Sequence, residues 1–96
     1  MGLLEEARLY IASVSPLLER WASAESLSTK DHATLRSTSM TLGEWHEKVN
    51  DAIRRGGLSK AEEKEYIKLR TSFSNLSRYA AQILDDIKRG KKAVKG

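Results

Sequence analysis

His46 and Glu47 open the one stretch whose spacing hints at catalysis. His46-Glu47-Lys48-Val49-Asn50 begins like the helical His-Glu-x-x-His arrangement, in which two histidines one turn apart hold zinc and the glutamate works on a bound water. Asn50 stands where the second histidine is needed. Glu44 precedes His46 by two residues, whereas the carboxylate di-iron bundles use a spacing of three. His32 follows Asp31, and the chain has two histidines and no cysteine. Disulfides, thiolate zinc sites and a cysteine nucleophile are excluded together. Both histidines are therefore expected as surface or rim residues, with no metal and no cofactor. There is no glycine-rich phosphate loop, no nucleophile elbow and no pair of catalytic carboxylates, so the chain is expected not to be an enzyme.

Cations offer a second kind of chemistry. Net charge is +4, but residues 1–25 sum to −2, residues 26–57 to +1 and residues 58–96 to +5. The excess lies in Lys88, Arg89, Lys91, Lys92 and Lys95. Such a run can track a phosphate backbone, with each contact adding to the salt dependence. No aromatic is interleaved, so base stacking is not offered. Against this, Lys88 and Arg89 would complement a helix dipole, and the rest would be a solvated tail.

These residues must be positioned by helices. Ser59 to Arg89 carries Tyr66, Leu69, Phe73, Leu76, Ala80, Ile83 and Ile87 in 3-4 spacing, one stripe down a helix. Ser59-Lys60-Ala61-Glu62 has the form of a capping box and Gly90 supplies a stop. A helix of roughly 30 residues would be about 45 Å long, and a span of that length needs partners to cover its stripe. Leu3 to Ala24 repeats Leu3, Ala7, Tyr10, Val14, Leu17, Trp21 and Ala24, with Leu4, Ile11 and Leu18 widening the face. Pro16 removes one helical hydrogen bond. The apolar phase runs through it unbroken, which predicts a kink and not a break. A third segment runs from Ser28 to about Arg55, with Leu35, Thr38, Leu42, Trp45, Val49 and Ala52 on its stripe. Its middle, Ser37, Thr38, Ser39, Thr41 and Gly43, is poor in helix formers. A break near Gly43, giving four helices, is the alternative.

The pattern predicts an all-α, up-down-up antiparallel three-helix bundle over residues 1–90, with 91–96 as a basic flexible tail. Pairing across Gly56-Gly57 sets residues whose numbers sum to about 115 opposite each other, so that Trp45 would face Arg70 and Leu42 would face Phe73. Residues 37–43 and 71–77 carry no charge. That register puts them at one height with Ser13 to Pro16, as a belt of small polar residues framed by Arg36, Arg70 and Arg78. Interface centres are depleted in charge, and a partner surface would explain the belt. Hydroxyls bonded back to their own helix carbonyls would explain it equally. The partner-binding candidates are Arg36, Ser37, Ser39, Thr41, Arg70, Ser74, Asn75, Arg78 and Tyr79. Tyr79 lies off the core stripe and is the aromatic most expected to be exposed.

With 31% charged and 40% hydrophobic residues the chain has the balance of a soluble globular domain. Met1-Gly2-Leu3-Leu4 runs straight into Glu5-Glu6, unlike a signal peptide or a myristoylation site. A cytoplasmic location is expected. The expected function is that of a helical interaction module, an adaptor or inhibitor docking on a protein partner. Its size also suits a mobile-element protein that blocks a host complex. The alternative is a nucleic-acid-binding accessory protein that uses the basic C-terminal region. Self-association through the second stripe of the first helix is a third reading.

Overall fold

A computed structural model describes residues 2–96; Met1, included in the expected bundle domain, lies outside the described residues. Three helices, α1 (Leu3–Ser23), α2 (Thr29–Arg55) and α3 (Lys60–Lys88), form an up-down-up bundle. Two short strands, β1 (Ser26–Ser28) and β2 (Ala93–Lys95), join its far end. The molecule is a rod of 48 × 23 × 17 Å, its long dimension set by the helices. Contact is most extensive between α2 and α3, then between α1 and α3.

The boundaries follow from the capping chemistry. The Ser28 hydroxyl accepts from the Asp31 amide, and Ser59 and Glu62 form the reciprocal capping box. Gly56 and Gly57 turn the α2–α3 hairpin with φ of 72° and 78°, a conformation open to glycine and strained for other residues. α3 ends in a Schellman motif: the Lys91 amide donates to the Asp86 carbonyl and Gly90, at φ 78°, donates to Ile87. α1 passes through Pro16 without breaking; Pro16 and Ala12, whose carbonyl it leaves without a helical donor, are both exposed residues. α2 is likewise continuous through Gly43, so there are three helices and not four. The burial of Leu35, Thr38, Leu42 and Val49 overrides the weak local propensity.

The core is one cluster along the three stripes, with Trp21, Phe73, Leu18, Leu35, Leu42 and Val49 its largest fully buried side chains. Trp45 stacks on Phe73 with centroids 5.6 Å apart and planes 6° apart, and on Tyr10 at 5.9 Å and 30°. One aromatic column thus crosses all three helices. Leu18 is buried, and Leu4 and Ile11 pack against the core, so the second stripe of α1 is consumed within the fold.

Burial at the top of this column holds the Tyr10 phenol above its usual range, reinforced by Glu44 and partly opposed by the Thr41 side chain. A raised phenol keeps its proton in the folded state where the unfolded chain has lost it. Its contribution is therefore complete below about pH 10 and is lost as pH rises through the folded value. Tyr10→Phe should flatten the alkaline fall in urea midpoint above about pH 10. An identical fall in wild type and variant would exclude Tyr10 as its source.

The last residues differ from the expected tail. Residues 93–95 run parallel to 26–28, pairing Ser26 with Ala93, Leu27 with Val94 and Ser28 with Lys95. The α2–α3 hairpin serves as the long crossover that a parallel pair requires. Lys92 is buried, and its Nζ donates to the Ala22 carbonyl at 3.2 Å and to the Ala24 carbonyl. A cation thus closes the C-terminus of α1, where the helix dipole favours it.

Candidate functional site

The register of the α2–α3 hairpin decides where the candidates meet. Trp45 lies against Phe73, three residues beyond the expected Arg70. Asn50 accepts from Arg70, His46 lies with Ser74, and Gly43 lies with Ser77. Helical side chains lean toward their own N-terminus. In an antiparallel pair this adds about two residues to the sum of contacting numbers, because each side chain covers a spot about one residue before its Cα. The observed pairs go further, their numbers summing to 118–120, so segment 71–77 meets 43–49. The two uncharged stretches touch at Gly43 and Ser77 and are otherwise staggered, so the belt expected from the sequence is not level.

Residues of α2 and α3 line a trough between these two helices. Its upper part is lined by Gly43, His46, Glu47, Ser74, Ser77 and Arg78. Its lower part is lined by His46, Arg70, Thr71, Ser74, Asn75 and Arg78. A Cβ added at Gly43 would meet nothing within 4 Å, so open space stands over the floor. The Arg70 guanidinium donates to Asn50 Oδ1 at 3.3 Å. Arg78 is exposed. Among the described residues the ion pairs lie elsewhere, at Arg8–Glu65, Arg54–Asp51, Lys68–Glu65 and Arg89–Asp85. The Arg8 guanidinium, aided by Lys68, holds the Glu65 carboxyl below its ordinary range. Arg70 and Arg78 have no carboxylate of this kind.

Of the nine partner-binding candidates, Arg70, Ser74, Asn75 and Arg78 come together in the trough. Thr41 turns instead toward Tyr10 on α1, and its hydroxyl donates to the Ser37 carbonyl at 3.0 Å. Arg36 and Ser37 are exposed and Ser39 half-buried on α2, none of them lining the trough. Tyr79 is exposed, as is Met40, at 71% the most exposed large hydrophobic side chain among the described residues. The hydroxyls divide: Ser13, Thr41 and Thr71 bond back to helix carbonyls, whereas Ser74 and Ser77 make no such bond among the described residues. His46, Gly43, Ser77, Thr71 and Glu47 belong to the trough and were not among the sequence candidates. The signal for the α2 members was their own spacing, 43, 46 and 47, which puts one face beside the core stripe.

The basic run is dispersed by the fold. Lys92 is internal and Arg89 pairs with Asp85 at 3.0 Å, leaving Lys88, Lys91 and Lys95 exposed. Among the described residues no three His, Asp or Glu side chains gather as metal ligands. Among the described residues no helix is long and apolar enough to cross a membrane. Comparison of the chain with known protein families, with curated proteins and with solved structures finds no match.

Proposed function

We propose that the chain is a non-enzymatic interaction module, an adaptor or inhibitor that docks the α2–α3 trough on a protein partner in the cytoplasm. One observation carries this reading: Arg70 and Arg78, neither of them in an ion pair among the described residues, flank one groove whose lining includes the small residues Gly43, Ser74 and Ser77. Arginine is enriched at interface hot spots, and a floor of small residues admits close backbone approach. Arg70 and Arg78 would anchor the partner and Ser74, Ser77 and Gly43 would set the distance.

Glutamate at both Ser74 and Asn75 places two negative charges on the floor without touching the core stripe. In pull-downs from source-cell lysate, with nuclease-treated and untreated halves, the double variant should lose the nuclease-resistant protein that wild type retains. Its helicity by circular dichroism should be unchanged. Equal capture by wild type and variant would rule the trough out. Retention that disappears with nuclease in the wild type would favour the nucleic-acid reading through Lys88, Lys91 and Lys95. Lys91→Gln with Lys95→Gln is the variant that isolates that route, because truncation after Gly90 would also remove β2 and the Lys92 cap.

A further inference from the structure

We infer that the lower part of the trough binds a dianionic phosphate group, free or as a monoester, held between Arg70 and Arg78 with Ser74 and Asn75 as neutral donors. The inference goes beyond docking, since it names a chemical group and stands whether or not a protein carries it. The concavity that these residues line with His46 and Thr71 has a volume of about 260 Å³ and is open to solvent. Arg70 uses one N–H on Asn50, which orients the guanidinium and leaves four of its five donors free. Arg78 has all five. The Ser74 hydroxyl and the Asn75 amide have no hydrogen-bond partner among the described residues, whereas the Thr71 hydroxyl is committed to the Ile67 carbonyl. The donor set is thus two guanidinium forks, one hydroxyl and one amide.

Acceptor count and charge choose the ligand. A carboxylate presents two oxygens and fills one arginine fork. A phosphate monoester presents three oxygens with a charge of about −1.5 to −2 at neutral pH, which matches two cations and leaves acceptors for Ser74 and Asn75. Thirteen acidic residues are available in the chain. The one that approaches the trough, Glu47, lines only the upper part with Gly43 and Ser77. Its charge disfavours an anion there and directs one to the Arg70–Asn75 end.

The test is an NMR titration of the full ¹⁵N-labelled chain at constant ionic strength. Inorganic phosphate, O-phosphoserine, acetate and a single-stranded oligothymidylate are the four probes. Inorganic phosphate or phosphoserine should produce saturating shifts confined to the amides of 70–78, His46 and the Nε–H signals of both arginines. Arg78→Gln alters an exposed side chain with no hydrogen bond or ion pair among the described residues, and should weaken the interaction about tenfold, as should Arg70→Gln. Phosphoserine binding at least as tightly as inorganic phosphate would assign a group carried on a chain; weaker binding would assign free phosphate. Acetate equal to phosphate, shifts that do not saturate, or full binding by Arg78→Gln would each overturn the inference. So would an oligothymidylate response stronger than those of both inorganic phosphate and phosphoserine, in favour of a phosphodiester.

Discussion

Phe73→Ala is expected to lower the unfolding free energy by about 3–5 kcal/mol, the range for removing a buried aromatic from a packed core. Phe73 is 0% exposed on the middle of α3, and Trp45 stacks on it almost coplanar, at 6°. Truncation would leave a cavity that three stiff helices cannot close, and it would remove the lower support of the Tyr10–Trp45 pair. A chain of 96 residues sits toward the low end of the usual 5–15 kcal/mol, so the variant should unfold at little more than ambient temperature. Phe73→Leu keeps most of the volume while deleting the ring, and should cost about 1.5 kcal/mol or less. Urea melts followed by helicity and by tryptophan fluorescence would measure both. Equal losses for the two variants would put the energy in the ring stack; a loss below about 1.5 kcal/mol for Phe73→Ala would remove Phe73 from the centre of the fold.

The parts of this architecture that were legible in the sequence are those set by local rules. The Ser59 cap, the Gly56-Gly57 link and the Gly90 stop depend on a few adjacent residues, and all three stand in the structure as the sequence suggested. The apolar stripes were equally readable, because burial repeats with the helix period. What could not be read was the pairing of one helix with another. The lean of side chains toward each N-terminus supplies about two of the three residues by which Trp45 moves from Arg70 to Phe73, and the set of the hairpin supplies the rest. About one turn of slippage then decides that Arg70, Ser74 and Arg78 meet His46 and Gly43 and not Arg36, Ser37 and Ser39. Arg70, Ser74, Asn75 and Arg78 were therefore visible on α3, where they share one helix. Which α2 residues meet them depended on register. β1 and β2 were invisible for a different reason: three residues carry no periodic signal, and their pairing joins positions more than sixty residues apart.

Lys92→Met is the second substitution with a large expected effect, because Lys92 is the residue through which that distant pairing is anchored. Composition places Lys92 in a run of exposed cations, but the structure leaves it 8% exposed with Nζ bonded to the carbonyls of Ala22 and Ala24. Methionine preserves the apolar stem and deletes the donor, so two helix-terminal carbonyls lose their partner. The expected loss is about 1–3 kcal/mol, the cost of leaving buried acceptors unmade. Lys91→Met, on an exposed neighbour, should stay within about 0.5 kcal/mol of wild type and serves as the control for charge alone. Amide exchange separates this cap from a general packing defect. Val94 and Lys95, in the strand that Lys92 leads into, should exchange faster in Lys92→Met while Leu69 and Phe73 in the bundle core keep their protection order. If both methionine variants melt together, Lys92 is not a cap, and residues 91–96 are held by the strand pairing alone. If only Lys92→Met is unstable, the cation that composition assigns to nucleic acid is a structural one, and any phosphate chemistry of the C-terminal region must fall to Lys88, Lys91 and Lys95.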